Sequence, residues 1–174
     1  MKYLRRSGSQ VLLLVLSLLG VGIATYLTLV HYTNAPLVCS TSGLVDCARV
    51  LSSLYSVVPG TSVPITVPGL AWCVVSAALA VVGLYGATGL QPRRIYVAQF
   101  AWSLLGLLAV LYLVYIEIVR LHTICAWCTA FHVVILLMFL VTLVRVQSPL
   151  PALVSEPETG EEEEATAGIL PRSK

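Results

Sequence analysis

The sequence predicts an all-α membrane protein: a four-transmembrane-helix bundle with an extracytoplasmic loop that carries a short amphipathic helix. Composition is the first observation, because 58% of the 174 residues are hydrophobic and only 10% are charged. Soluble domains carry about 25% charged residues. The second observation is four long runs without charged residues; about 20 apolar residues suffice to cross a bilayer core. Membrane lipid is therefore an expected partner, and no basic patch with interleaved aromatic side chains indicates nucleic acid.

The four runs define the expected domain organisation. A basic segment, 1–10, precedes a membrane domain of residues 11–146, whose predicted spans are 11–30, 67–90, 95–116 and 124–144. The first run exceeds the signal-peptide core of about 7–15 residues, and no small-residue cleavage site follows it, so we interpret it as an uncleaved helix. The segment 147–174 is acidic and poor in apolar residues, which predicts a disordered cytoplasmic tail.

The only long hydrophilic connection, residues 31–66, contains two of the five cysteines, Cys39 and Cys47. Within it, the apolar positions of 48–57 recur at helical spacing and predict a short amphipathic helix. Asp46 stands where a helix N-cap is expected. Such a helix would lie at the membrane surface and hold Cys47 near the bundle.

Basic residues predict the orientation of the chain. The side that would hold both chain ends carries Lys2, Arg5, Arg6, Arg93, Arg94 and Arg145, whereas the other side carries only Arg49 and Arg120. The positive-inside rule then places both termini in the cytoplasm and both cysteine pairs outside it. The expected location is the cell inner (plasma) membrane, with a multi-pass topology. The connections between the later spans are predicted as a tight basic turn at 91–94 and a minimal turn at His122-Thr123.

The fourth run opens with Cys125-Ala126-Trp127-Cys128, a C-x-x-C spacing that recurs in redox sites. Unpaired N–H groups at a helix N-terminus stabilise a thiolate, and thiol–disulfide exchange requires the two pairs to come into contact. We therefore interpret Cys39 and Cys47 as the entry point of electrons that pass to Cys125 and Cys128. Two alternatives stay open: structural disulfides in a non-enzymatic membrane interaction protein, and a four-cysteine zinc site, for which the loop spacing is unusual.

Four further side chains in or next to the apolar runs are also interpreted from the sequence. His132 lies four residues after Cys128 on the same helical face. It either hydrogen-bonds a quinone oxygen or relays its proton, or it is a neutral side chain bonded to a neighbouring helix. Glu117 and Arg120 are three residues apart and are expected to form an interfacial ion pair. Cys73 stands alone in an apolar run and is expected to be a small buried thiol.

These features together resemble the vitamin K epoxide reductase family, in particular its stand-alone bacterial homologues. The resemblance covers residues 10–146 and rests on Cys39 and Cys47, Arg49-Val50, Ser52-Ser53, the run 112–117 and the run 121–128. The position of the first cysteine pair between spans one and two also fits.

The resemblance implies a membrane thiol–quinone oxidoreductase that supports disulfide bond formation. Cys39 would receive electrons from a separate thioredoxin-like (DsbA-like) protein, Cys47 would relay them to Cys125, and Cys128 would meet the quinone. The implied electron acceptor is a quinone of the menaquinone, ubiquinone or phylloquinone type, with no metal. Ser53 matches the family's serine near the quinone, and His132 is the second residue expected there.

Two differences from the vertebrate enzymes of the family bear on the substrate. Those enzymes carry an asparagine shortly before the second span, whereas residues 64–68 contain none. They also carry a tyrosine four residues after the last cysteine, where this chain has His132. Both differences favour a plain quinone as substrate, and reduction of vitamin K epoxide for quinone recycling is the alternative function.

Overall fold

The protein is a bundle of long helices. The computed structural model describes residues 2–33, 35, 39, 43–85 and 92–147. Four of its helices are long and apolar enough to cross a membrane, which confirms the predicted fold class. The helices are α1 (Lys2–Thr33), α2 (Cys47–Leu51), α3 (Thr66–Tyr85), α4 (Pro92–Tyr115) and α5 (Ala126–Gln147).

The four long helices form a closed ring of neighbours. α1 packs most extensively against α3, and α5 packs against both α4 and α1, while α3 and α4 also touch. A buried apolar cluster in the centre includes Leu13, Leu27, Ala80, Val134 and Met138. Three of the four helices supply this core, so the bundle is one packed unit around which the loop is placed.

The bundle is apolar on its outer surface as well as in its core. Large apolar side chains face outward, among them Leu18, Leu108 and Leu140. Gln10 of α1 and Gln99 of α4 are buried and exchange two amide hydrogen bonds of 3.2 and 3.0 Å. Because lipid does not satisfy polar groups, such interhelical bonds are how buried amides persist in a membrane. The pattern fits a bundle surrounded by lipid.

Small residues allow the helices to approach closely. A Cβ built on Gly20 of α1 would lie 2.7 Å from the Cys73 sulfur of α3, so only glycine fits there without a shift. Cys73 is fully buried, as expected for a small thiol in an apolar helix. Gly106 of α4 has the same role, because a Cβ there would collide with the indole of Trp72.

Two connections differ from the sequence-based expectation. Pro92 and Arg94 belong to α4 rather than to a tight turn, because proline lacks the N–H that a first-turn residue leaves unpaired; Gln91 lies outside the described residues. α5 begins at Ala126 and not at 124. The turn before it occurs at His122, as predicted, with a left-handed φ of 51° that ends a π-helical segment, Ile116–Leu121.

The predicted amphipathic helix of residues 48–57 is divided into two pieces. α2 ends at Leu51, and a 3₁₀ helix follows at Leu54–Ser56. The break has a local cause, because the hydroxyls of Ser52 and Ser53 bond back to the carbonyls of Arg49 and Val50. Serine side chains compete for helix carbonyls in this way. The predicted cap is confirmed, since the Asp46 carboxylate accepts the Arg49 N–H at 3.0 Å.

The acidic segment predicted to be disordered begins at residue 147, and all of it beyond Gln147 lies outside the described residues.

Candidate functional site

A short stretch of paired backbone joins the loop to the start of α5. Asp46 donates its N–H to the Ile124 carbonyl at 3.2 Å, and Ile124 donates its N–H to the Leu44 carbonyl at 2.8 Å. Val45 and Ile124 thereby form a parallel bridge. Cys125 follows Ile124 directly and Cys47 follows Asp46, so the pairing sets the register between the two cysteine pairs.

The four paired cysteines lie together, as the sequence predicted. Cys47 and Cys125 are both fully buried and belong to one apolar cluster with Val50. Cys39 and Cys128 pack against the same cluster. Cys39 and Cys47 are joined by a disulfide, whereas Cys125 and Cys128 are free thiols. The arrangement brings a disulfide and a dithiol into one enclosed site.

The start of α5 decides which thiol gains from the helix N-terminus, a point that the sequence left open. The helix begins at Ala126, which makes Cys125 its N-cap, and the Cys125 sulfur accepts the Cys128 backbone N–H at 3.2 Å. A hydrogen bond from the Cys128 thiol, together with backbone N–H groups, lowers the pKa of Cys125, although burial and the nearby Glu117 oppose this. Cys125 is therefore the better thiolate of the pair.

A cavity opens beside the second cysteine. The open space in it is about 550 Å³ when its mouth to solvent is included. Most of its wall is apolar, contributed by α1, the loop, the end of α4 and α5. Its polar or reactive lining consists of His31, Ser53, Tyr55, Ser56, Thr66, Glu117, Cys128 and His132. Pro64 and Ile65, from the stretch without asparagine that precedes the second span, also line it.

The two predicted quinone-binding residues both line the cavity but differ in what they offer. The Ser53 hydroxyl already donates to the Val50 carbonyl at 2.8 Å. His132 is 7% exposed, and among the described residues no side chain or backbone group is hydrogen-bonded to its ring. A bond from His132 to a neighbouring helix, the alternative interpretation, is therefore not formed. The imidazole is the freer donor for a ligand oxygen.

Glu117 was missed as a site residue. It is 5% exposed and lines the cavity, and its carboxyl accepts the backbone N–H of Cys125. The expected ion pair with Arg120 is wrong: Arg120 is exposed and donates to the Tyr55 hydroxyl at 3.3 and 3.4 Å. The π-helical segment directs the side chains of Glu117 and Arg120 away from each other. α4 is buried at Ser103, Gly106 and Val110, which recur at helical spacing. Glu117 lies seven residues after Val110 on the same helical face. This spacing would have placed Glu117 on the inward side.

Metal binding finds no support in the part of the chain that the structure describes. No group of three or more His, Cys, Asp or Glu side chains there is arranged to hold a metal ion. The expectation of chemistry without a metal remains a prediction.

Comparison with known families agrees with this geometry. The model of the vitamin K epoxide reductase family matches residues 11–143. The match extends over well more than half of the chain, so the protein belongs to this family. A search of curated proteins gave no match. Members of the family are oxidoreductases that generally use a quinone and a thioredoxin-like partner, and this chain is accordingly assigned to the membrane oxidoreductases.

Proposed function

We propose that this member of the vitamin K epoxide reductase family moves electrons from a thioredoxin-like (DsbA-like) protein to a quinone and so supports disulfide bond formation. One observation carries the proposal: Cys47 and Cys125 are buried in a single cluster, and Cys128 faces the neighbouring cavity. A thiol route from water and a binding space for a lipid-soluble acceptor therefore meet at the C-x-x-C motif.

The first half of the reaction is thiol–disulfide exchange. A thiolate of the partner attacks the Cys39–Cys47 disulfide, the second partner thiol completes the exchange, and Cys39 and Cys47 leave as thiols. Cys47 then attacks the oxidised Cys125–Cys128 pair at Cys125. Cys39 resolves the mixed disulfide, which restores the loop disulfide and leaves the C-x-x-C pair reduced. Each exchange requires direct approach of sulfurs, which the backbone pairing of Asp46 and Ile124 favours.

The second half transfers two electrons to the quinone. A bond forms between the sulfurs of Cys125 and Cys128, the quinone gains the electron pair, and two protons convert it to the quinol. The net reaction is partner dithiol plus quinone giving partner disulfide plus quinol. The bonding pattern of the structure, an oxidised loop pair and a reduced C-x-x-C pair, corresponds to the form that is ready to reduce quinone.

We assign orientation of the quinone to His132 first and Ser53 second. A quinone oxygen only accepts hydrogen bonds, so the protein must supply a donor. The His132 ring is free to donate toward the cavity, whereas the Ser53 hydroxyl would have to give up its bond to Val50. The apolar wall supplies the enclosure that a lipid-soluble ring requires.

The site belongs on the extracytoplasmic side in this proposal. Arg49 and Arg120 lie in the loop and at the end of α4, near the cysteines, while the greater number of basic residues lies at the opposite ends of the helices. Disulfides persist in oxidising compartments. Labelling Cys39, which is partly exposed, with a membrane-impermeant thiol reagent in reduced, intact cells tests this orientation. Protection of Cys39 in intact cells, with labelling only after the membrane is dissolved in detergent, would reverse it.

The function is tested with purified protein, a quinone and two electron donors. Cys128→Ala is expected to abolish quinone-dependent oxidation of any dithiol. Cys39→Ala is expected to block oxidation of a thioredoxin-like protein while leaving turnover with dithiothreitol. Cys73→Ala is the control and should behave as wild type, because Cys73 packs against α1 away from the site.

Normal quinone reduction by Cys128→Ala would overturn the proposed mechanism. Failure of the wild type to oxidise any dithiol with a quinone would overturn the function itself.

A further inference from the structure

Glu117 is a buried carboxyl group within a helix that crosses the membrane. No lysine, arginine or histidine nitrogen among the described residues lies within ion-pair distance of it. An ionisable side chain at such a position is costly and generally has a functional reason. Glu117 lies next to the proposed reaction, because it lines the same cavity as Cys128 and His132.

A purely structural role for Glu117 does not require a carboxyl. Its backbone carbonyl accepts the N–H groups of His122 and Thr123, which closes the turn before α5. Its side chain accepts the N–H of Cys125, a bond that a glutamine amide oxygen would accept equally. What glutamate adds to this turn is the capacity to take up and release a proton, next to a reaction that moves protons.

We propose that Glu117 is a catalytic residue of quinone reduction, whose carboxylate takes the proton of the Cys128 thiol and delivers it to a quinone oxygen. The proposal rests on the quinone reductase function above. General acid–base groups act by positioned proton transfer of this kind.

The step balances with the Cys125 thiolate as the other reactant. The S–H bond of Cys128 breaks and its proton passes to Glu117. A bond forms between the two sulfurs, and the electron pair released passes to the quinone. Glu117 returns the proton to one quinone oxygen, and the second oxygen takes a proton from water that enters at the cavity mouth. Thiolate, thiol, quinone and one proton thus give a disulfide and a quinol, with Glu117 unchanged.

Several other groups around the carboxyl titrate or carry charge and bear on any pH dependence. They come from α1, the loop, the end of α4, the turn and α5, and are His31, Tyr55, Arg120, Cys125, Cys128 and His132. Of these, Cys125 must also lose a proton before turnover. The wild-type rate of quinone reduction should therefore fall steeply toward acid pH, with contributions from both Cys125 and Glu117.

Glu117→Gln in the full-length protein, assayed in single-turnover quinone reduction, tests the proposal. The variant keeps an acceptor for the Cys125 N–H but takes no proton, so the rate should fall about 10²- to 10⁴-fold. Its decline toward acid pH should be shallower than in the wild type. Glu117→Asp should recover part of the rate and the steep pH dependence. Cys73→Ala, whose thiol packs against α1 away from the site, is the control and should retain the wild-type rate and pH profile.

A Glu117→Gln rate within about threefold of wild type with an unchanged pH profile would overturn the role of Glu117 and leave the proposed function standing. Wild-type protein that reduces no quinone would instead overturn both. Infrared difference spectra of the wild type on quinone reduction give a readout that needs no variant to fold. Carboxyl bands that change during turnover are expected from Glu117, and their absence would also overturn the proposal.

Discussion

Asp46 donates its backbone N–H to the carbonyl of Ile124, and each of these residues is followed directly by a cysteine. The pairing joins a loop that follows α1 to the residue before the cap of α5. It places Cys47 and Cys125 in one buried cluster, although 77 residues lie between them in the sequence. Contact between the pairs is therefore built into the backbone, and most of the predictions below depend on this site.

Cys47 and Cys125 should form a disulfide with each other when their own partners are removed. In a Cys39→Ala/Cys128→Ala variant, mild oxidation is expected to join them within one chain, because both sulfurs lie in the same cluster. Mass spectrometry of proteolytic peptides measures the product. The matched control, Cys39→Ala/Cys125→Ala, should form less cross-link because Cys128 faces the cavity. Equal yields from the two variants would contradict the assigned relay.

The thiolate of Cys125 should depend on its neighbour. Because the Cys128 thiol hydrogen bond is the largest cause that lowers the pKa of Cys125, Cys128→Ala should raise that pKa. The thiolate is present above the lowered pKa and is protonated as pH falls through it. Ultraviolet titration of the thiolate, in a reduced background without Cys39, Cys47 and Cys73, should therefore move toward alkaline pH.

Cys128→Ser is the matched control for this titration, since its hydroxyl can still donate to the Cys125 sulfur. It should titrate closer to the parent protein than Cys128→Ala does. A Cys128→Ala variant with an unshifted titration would show that the helix N-terminus alone sets the acidity of Cys125.

Loss of the imidazole should weaken quinone binding more than loss of the serine hydroxyl. His132→Ala removes an imidazole that is free to donate into the cavity, and one neutral hydrogen bond is worth about 0.5–1.5 kcal/mol. That corresponds to about a 2- to 12-fold rise in the KM for quinone. Ser53→Ala should raise KM less, because its hydroxyl is bonded to Val50. Steady-state assays at varied quinone concentration compare the two, and a larger effect of Ser53→Ala would reverse the assignment.

Replacement of two glycines of α1 by alanine should change the stability of the folded protein to different extents. Gly20→Ala places a methyl group 2.7 Å from the Cys73 sulfur, and overpacking of this kind costs about 1–3 kcal/mol. Gly22→Ala meets no atom within 4 Å and should be neutral or stabilising by up to about 1 kcal/mol. Thermal unfolding in detergent measures both. Adding Cys73→Ala should restore much of the stability of Gly20→Ala, and no restoration would place the cost elsewhere.

Much of the protein followed from one-dimensional patterns. Apolar run length predicted the four membrane helices, because a bilayer demands a fixed helix length and excludes unpaired backbone groups. Asp46 was recognisable as a cap, since capping depends on a few neighbouring residues. The resemblance to the family was likewise visible in the spacing of Cys39, Cys47, Cys125 and Cys128, because thiol–disulfide exchange constrains the positions of the cysteines.

Two features could not be predicted from those patterns: the competition of serine hydroxyls for helix carbonyls, and the change of helix type after Tyr115. The back-bonding of Ser52 and Ser53 divided a helix that apolar spacing predicted as continuous. Glu117 continues the inward face of α4, and the π-helical turn after Tyr115 left Arg120 outside with Tyr55, although three-residue spacing on an α-helix would have paired the two. A backbone carbonyl can accept a hydrogen bond in either arrangement, so the sequence pattern did not predict which of the two would form.

By itself, then, the sequence determined an all-helical membrane bundle with two cysteine pairs in the spacing of a known redox family. Those features depend on composition and on neighbours along the chain. The tertiary structure alone decided that Cys125 caps α5, that Cys128 faces the cavity and that Glu117 is enclosed beside both. The reason is physical: burial and hydrogen-bond partners are set by segments that meet only after the helices pack, and these fix the acidity and access of each group.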